Sequence, residues 1–393
     1  TQAGALTATQ LGRLTSEALI AFDATQFAAF SATQVRALTT TQIGNLEAAD
    51  IAEFTTTQIA ALATTQVRGL TETAVAALAA TQIAALTVPQ IQSLSTTSLV
   101  GFADTQIGAL TTTQIGGLLA PQVSAFGATT VAALAATQIS AMSATQIAAL
   151  GSTNFAALDS TQIGALTTTQ MRSLTTSQIA SIDAGQVSSF TTTQLTQLSG
   201  TQLKSLSTSN LSALDTTQMG ALTATQIASL TTTQIAGLVA GDIGEMTTTQ
   251  VQALVTAQVA SLTTEAVSAL TTTQVGAMRT TQIQGLTATQ LGALDATDIG
   301  EFTTTQLQSL TTTQVAGLTS TNAQSLSTQQ LAALTTSQIA ALSVTNLSAL
   351  DATQVGALTT TQTKALTATQ LTGLDAADVA EFSTTHISNF ANT

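Results

Sequence analysis

The chain has 393 residues, of which 44% are hydrophobic and only 7% are charged, and its formal net charge is -13. It has no Cys, Trp or Tyr and one His, which excludes disulfides and thiol chemistry and leaves few acid–base side chains. Its seven Lys and Arg residues form no cluster that could follow nucleic-acid phosphates, and no apolar stretch approaches the ~20 residues that span a bilayer. We therefore expect no enzyme, no nucleic-acid partner and no membrane insertion.

The sequence is built on a period of eight residues, as residues 39–46 (TTTQIGNL) illustrate. We number the positions of this repeat 1 to 8 from its first Thr, with Gln at position 4, Ile at position 5 and Leu at position 8. Position 8 is Leu, Phe, Met or Ile at all 49 occurrences, and position 5 is apolar everywhere except at Thr363. Because no insertion interrupts the period, we predict one continuous domain over residues 1–393, with no detectable boundary.

The spacing of the apolar positions argues against two regular structures. Positions 5 and 8 are three residues apart, so a strand would place them on opposite faces. In one continuous helix the apolar stripe would rotate by about 80° with every repeat. The remaining interpretation is one short helix in each repeat, which is stable only when neighbouring repeats cover its apolar face.

Each repeat also carries the signals of a helix start. Position 1 is Ser, Thr or Asp in 37 of 49 repeats and position 4 is Gln in 35, a combination that forms a capping box. Pro89 and Pro121 are at position 3, in the first helical turn, where a missing N–H is tolerated. We therefore predict an all-α solenoid of about 49 octapeptide short-helix repeats.

Two spacings in the sequence bear on the number of repeats in one coil of this solenoid. Similar residues recur at 24 residues, for example Phe30 and Phe54, which favours three repeats per coil, but separations of 32 also occur, as between Arg36 and Arg68. A β-solenoid is the alternative fold, because the segment TTTQI has strong strand propensity.

Acidic side chains recur in pairs at positions 4 and 7 of four repeats. Oxygen-only clusters of this kind suit Ca²⁺. The alternative, which we favour, is that Asp caps the helix start and Glu lies on a solvated face. We therefore predict no metal, cofactor or catalytic residue in this chain. The four pairs are Asp50/Glu53, Asp242/Glu245, Asp298/Glu301 and Asp378/Glu381.

Three further residues could suggest chemistry or modification. His386, the only His, is at position 4, and we interpret it as a substitute for the capping Gln because no second His or Cys could share a metal. Asn210 and Asn346 begin Asn-Leu-Ser triplets that match the glycosylation acceptor pattern. Two such matches are expected by chance in a chain this rich in Ser and Thr.

The reiterated TTQIxxL unit, as in residues 112–118 and 232–238, resembles tracts in very long bacterial secreted or surface proteins that are described as adhesin-like. The resemblance covers essentially the whole chain. It implies an extracellular bacterial setting, and it carries over no site residues.

These observations predict an extracellular structural protein that forms an elongated stalk, fibre or filament at a bacterial surface. The repeat is still in phase near both ends of the sequence, so we expect self-association into a fibre or filament, or continuation into further repeats of the same chain. The alternative is a binding module that uses Thr-rich faces to recognise ice or a polysaccharide.

Overall fold

The computed structural model describes residues 2–390 and contains a 3₁₀ turn at Ala3–Ala5, 48 short α-helices and no strand in that range. The all-α fold class is therefore confirmed, and the alternative of a β-solenoid is wrong. None of the helices within these residues is long and apolar enough to cross a membrane. The described residues form two compact units, an N-terminal unit up to Leu198 and a C-terminal unit from Ser199, and each has the construction set out below.

The N-terminal unit contains 24 α-helices of four to six residues. They are α1 (Ala8–Leu11), α2 (Ser16–Ile20), α3 (Ala24–Ala28), α4 (Ala32–Arg36), α5 (Thr40–Gly44), α6 (Ala48–Ala52), α7 (Thr56–Ala61), α8 (Thr64–Gly69), α9 (Glu72–Ala76), α10 (Ala80–Ala85), α11 (Val88–Ser93), α12 (Thr96–Val100), α13 (Asp104–Ala109), α14 (Thr112–Gly117), α15 (Ala120–Ser124), α16 (Ala128–Ala132), α17 (Ala136–Ala141), α18 (Ala144–Ala149), α19 (Gly151–Phe155), α20 (Ser160–Gly164), α21 (Thr168–Ser173), α22 (Thr176–Ser181), α23 (Ala184–Ser188) and α24 (Thr192–Leu195).

The C-terminal unit contains the other 24, which have the same lengths. They are α25 (Gly200–Leu203), α26 (Thr208–Leu211), α27 (Thr216–Ala221), α28 (Ala224–Ser229), α29 (Thr232–Ala236), α30 (Ala240–Gly244), α31 (Thr248–Ala253), α32 (Thr256–Ser261), α33 (Thr264–Ser268), α34 (Thr272–Ala277), α35 (Thr280–Ile283), α36 (Ala288–Ala293), α37 (Ala296–Gly300), α38 (Thr304–Ser309), α39 (Thr312–Ala316), α40 (Ser320–Ser325), α41 (Thr328–Ala333), α42 (Thr336–Ala341), α43 (Val344–Ser348), α44 (Ala352–Gly356), α45 (Thr360–Lys364), α46 (Ala368–Gly373), α47 (Ala376–Glu381) and α48 (Thr384–Ser388).

Every helix except α19 begins at position 2 of the octapeptide, after a residue at position 1 that serves as its N-cap, as α7 shows. The Thr55 backbone N–H donates to Gln58 Oε1 at 2.7 Å, and the Gln58 backbone N–H donates to Thr55 Oγ1 at 3.3 Å, so the predicted capping box is present. The helix ends at Ala61, and Leu62 after it has an extended ψ of 139° that leads directly into the next cap. The two helices with Pro in the first turn, α11 and α15, are formed as predicted.

Within each compact unit, a helix packs against the third helix before it and the third after it. In the N-terminal unit α8 contacts α5 and α11, and in the C-terminal unit α31 contacts α28 and α34. Side-chain hydrogen bonds reach further, to carbonyl groups 28 to 31 residues earlier, as Gln90 does. Helices three repeats apart, which is 24 residues, pack side by side, so the expected three repeats per coil is confirmed.

The core consists of the side chains at positions 5 and 8, as the period predicted. Ile59 and Ile227 at position 5 are fully buried, and each contributes roughly 1.5–3 kcal/mol of burial free energy. Thr363, the one polar residue at position 5, is also fully buried, and its hydroxyl donates to the carbonyl of Thr360 at 3.1 Å. The polar substitution is thus accommodated within its own helix.

One repeat in the N-terminal unit lacks the usual N-cap residue and the extended link between helices. Gly151 has a φ of +73°, the only positive φ among residues 2–390, and it takes the place of a Ser, Thr or Asp cap. Leu150 before it is helical instead of extended, so α19 follows α18 without the usual extended link. Glycine allows this because it lacks the Cβ that disfavours a positive φ.

Candidate functional site

The most regular polar feature of the structure is a set of buried side-chain amides at position 4, which we call the amide ladder. Gln258 is a representative member and is only 1% exposed. Its Oε1 accepts from the backbone N–H of Val255 at 2.8 Å, and its Nε2 donates to the carbonyls of Ile227 at 2.9 Å and Leu230 at 2.8 Å. One amide thus caps its own helix and also bonds to a coil about 30 residues earlier.

The ladder solves a hydrogen-bonding problem that short helices create. The carbonyl of a position-8 residue such as Leu230 lies just past the end of its helix and is buried, so it has no partner in the helical pattern. A buried carbonyl without a partner costs about 1–3 kcal/mol. The carboxamide supplies an acceptor for the cap and donors for the carbonyl, whereas an ionised carboxylate can only accept.

The capping box explains only half of this arrangement, and sequence reasoning missed the bonds between coils. A signal for them was present. A capping box accepts Glu as readily as Gln at position 4, yet no repeat of this chain has Glu there. The bond that Gln donates to the preceding coil, which an ionised Glu cannot donate, accounts for that preference.

The shorter amide of Asn also completes the ladder. Asn154, Asn322 and Asn346 donate from Nδ2 to the carbonyls of the position-8 residues 28 residues earlier, at 2.6, 2.9 and 2.8 Å. Asn210 and Asn346, which begin the two glycosylation triplets, are both buried at position 4. Neither is accessible to a glycosyl donor in the folded chain.

The Asp at position 4 of each acidic pair caps a helix start as predicted, but Glu53 does not lie on a solvated face, because its Oε2 is buried without a hydrogen-bond partner within residues 2–390. The position-4 carboxylates accept from the backbone N–H of the residue at position 1, at 2.7 Å for Asp50, 3.0 Å for Asp242, 3.4 Å for Asp298 and 3.0 Å for Asp378. The first three are buried and Asp378 is half-buried. None of these carboxylates supplies the donor that Gln supplies to the preceding coil.

Two of the position-7 carboxylates, Glu53 and Glu381, lie near acids from another coil, which the sequence did not suggest. The pKa of Glu53 is raised by burial, then by the charge of Asp50 and by that of Asp23, 30 residues earlier. The pKa of Glu381 is raised by burial and by Asp378, Asp351 and Asp375. Glu245 instead accepts from the hydroxyl of Thr216 at 2.5 Å.

These acids do not converge as metal ligands would. Within residues 2–390, no group of three or more His, Asp or Glu side chains is arranged to hold a metal ion. We expect addition of a chelator to leave the melting temperature unchanged, because the position-4 acids serve as caps and the described acids do not converge on one point. Thermal unfolding with EDTA and with added CaCl₂ would measure this, and a rise of several degrees in CaCl₂ would contradict it.

Glu53→Gln is expected to stabilise the protein at neutral pH and to have no effect at acidic pH. Because the pKa of Glu53 is raised in the folded state, its protonated form stabilises the folded chain fully below the ordinary value of 4.5. That contribution to stability is lost as the pH rises through the raised pKa. Gln stays neutral and removes that loss. Urea unfolding across this pH range would measure the difference.

Glu265→Gln is the matched control, and the opposite sign is expected. The pKa of Glu265 is lowered by hydrogen bonds from its own backbone N–H and from the hydroxyls of Thr264 and Thr263. Its ionised form is therefore favoured above the ordinary pKa, and that contribution is lost as the pH falls through the lowered one. Equal effects of the two substitutions at every pH would contradict the assignment.

His386 is buried at position 4, but its ring takes no part in the cap. Its backbone N–H donates to Ser383 Oγ at 3.2 Å, while Nδ1 has no hydrogen-bond partner within residues 2–390. The ring packs edge-on against Phe382, with centroids 6.2 Å apart. The interpretation of His386 as a substitute for the capping Gln is wrong, because its ring does not accept from the backbone N–H of Ser383 as Gln would. An imidazole cannot place its donor and acceptor as a carboxamide does.

The comparison with known families supports the repeat and nothing finer. Residues 131–168, 146–176, 155–192 and 235–272 match the family model of the ALTTAQ repeat. These segments are similar to ALTTAQ repeats. The six letters correspond to positions 7, 8, 1, 2, 3 and 4 of the octapeptide, as in residues 165–170 (ALTTTQ). No curated protein matches the chain.

Proposed function

We propose that this repeat protein of short helices is an extracellular structural element that forms an elongated stalk, fibre or filament at a bacterial surface. The observation that carries the proposal is the amide ladder. It ties one coil to another by the same buried bonds throughout each compact unit, so coils can be added without changing the construction. Such an array suits a spacer or fibre better than a catalyst, which needs one distinctive site.

The surfaces near residue 2 and near residue 390 add support. Val379 and Ile387 at position 5 are 38% and 43% exposed, although this position is buried in the interior repeats. In the N-terminal unit, Leu6, Leu14 and Phe22 line an open cavity of about 260 Å³. A further coil would cover either surface, and both a second copy and further repeats of the same chain carry such a coil.

Electron microscopy and sedimentation of the purified chain test this function. We expect rods or fibres, with a mass that increases with protein concentration. Compact particles that remain monomeric at all concentrations would overturn the fibre. Inhibition of ice recrystallisation or binding to polysaccharide by such monomers would favour the alternative binding module.

A pair of matched variants shows whether the apolar surface near residue 390 takes part in self-association. Ile387→Asp should reduce association, because it places a charge on a surface that another coil must cover. Thr385→Asp alters an exposed residue of the same helix and should leave association unchanged. Equal association of the two variants would show that this surface is not used.

A further inference from the structure

Asp298 occupies a position of the amide ladder where most repeats supply a hydrogen-bond donor to the preceding coil. It is 5% exposed, and its Oδ2 accepts from the backbone N–H of Asp295 at 3.4 Å. The residue 28 positions earlier is Leu270, whose carbonyl is the counterpart of those that Gln and Asn bond elsewhere. Within residues 2–390 that carbonyl receives no hydrogen bond. An ionised Asp298 cannot supply one.

Asn322 shows what a side chain of the same size does at this position. Its Oδ1 accepts from the backbone N–H of Thr319 at 3.0 Å, and its Nδ2 donates to the carbonyl of Leu294, 28 residues earlier, at 2.9 Å. Asp with a proton on its second oxygen has the same shape and the same pattern of one acceptor and one donor. Protonation therefore changes Asp298 from a side chain that can only accept to one that accepts at one oxygen and donates at the other.

We propose that Asp298 forms its bond to the preceding coil, which we call a rung of the amide ladder, only when its carboxyl group is protonated. In acid, the carboxyl group takes a proton from solvent and its O–H donates to the Leu270 carbonyl, which joins α37 to the end of α33. At neutral pH the proton leaves, a carboxylate oxygen faces the carbonyl oxygen, and this rung opens. No other bond is formed or broken.

The charges around Asp298 favour this behaviour. Burial raises its pKa first, and the charge of Asp295 raises it further, against a smaller opposing effect of the Asp295 backbone N–H. The other titratable groups nearby are Glu301, which directly follows α37, and Glu265 on α33, and both are acidic. The helices α34 and α40, which pack against α37, carry no ionisable side chain, and the charge that acts on the pKa of Asp298 is that of Asp295.

The direction of the effect follows from the raised pKa. The rung is complete below the ordinary Asp pKa, and its contribution to stability is lost as the pH rises through the raised pKa of the folded state. This pH-dependent bond depends only on the amide ladder, so its test is independent of the test of the proposed fibre.

Reciprocal substitutions test the rung, with amide hydrogen exchange of α33 and α37 as the readout. At neutral pH Asp298→Asn should slow the opening of these helices about three- to tenfold relative to the parent chain, as expected for one added hydrogen bond. The difference should vanish below about pH 4, where Asp298 itself is protonated. Asn322→Asp should create the mirror effect around α40, with faster opening at neutral pH only.

Asp104→Asn serves as the control, since it removes one acidic charge from an exposed position of α13. It should change exchange at neither pH. The proposal is overturned if Asp298→Asn alters exchange by the same factor at every pH, or if the carboxyl resonance of Asp298 titrates at or below its ordinary range. It is also overturned if Asn322→Asp produces no pH dependence.

Discussion

Leu222→Asp is expected to unfold the coil around it at a cost of more than about 3 kcal/mol, while distant coils stay folded. Leu222 is 2% exposed at position 8, so the substitution places an unpaired carboxylate in the core. The substitution also disturbs the backbone carbonyl of residue 222, which accepts from Gln250 Nε2 at 2.8 Å. Because repeats contact only near neighbours, the defect should remain local. Hydrogen exchange should show a window of lost protection centred on residue 222.

Thr225→Asp is the matched control for this prediction. Thr225 is exposed at position 3 of the following repeat, and its substitution should change the free energy of unfolding by no more than about 0.5 kcal/mol. If Leu222→Asp instead lowered protection uniformly over the chain, the protein would unfold as a single cooperative globule. Both the solenoid and the proposed fibre role would then have to be abandoned.

Gln258→Glu is expected to cost about 2–4 kcal/mol at neutral pH, although the substitution is nearly isosteric. The carboxylate can still accept from the N–H of Val255, but it turns an oxygen towards the carbonyls of Ile227 and Leu230, where the amide donates now. Acid should recover part of the loss, because a protonated Glu regains a donor. Urea unfolding at neutral and acidic pH would measure both effects.

Gln308→Glu separates this effect from a general effect of added charge. Gln308 is exposed, and its Nε2 donates to the carbonyl of Ala333 at 2.9 Å at the surface, where water can replace the bond. We expect a cost of no more than about 1 kcal/mol. Equal costs at the two positions would mean that the amide ladder contributes nothing beyond capping.

Most of the local structure could be predicted because its determinants lie within one octapeptide. Thr55 and Gln58 are three residues apart, and their reciprocal bonds depend only on the geometry of a first helical turn. The burial of Ile59 and Leu62 follows from an apolar pair that recurs in every repeat. Helix starts, helix ends and core positions were therefore readable from the period of eight residues.

The sequence could not identify the partners of residues in different coils. The Nε2 of Gln58 donates to the carbonyls of Phe27 and Phe30, and Glu53 meets the charge of Asp23 30 residues earlier. These separations depend on how many repeats make one coil, and recurrences of 24 and 32 residues in the sequence left that number open. The acidic pairs consequently suggested either Ca²⁺ or caps, and the repulsion between coils was not foreseen.

The sequence by itself determined that this chain is a run of capped short helices with one apolar face, because caps and apolar spacing act within a few residues of each other. Only the tertiary structure decided that the capping Gln is also the link between coils. A short helix leaves carbonyls unpaired at its end, and which side chain reaches them is set by the path of the chain through space. The same path brings the carboxyl group of Asp298 to a position where most repeats supply a donor.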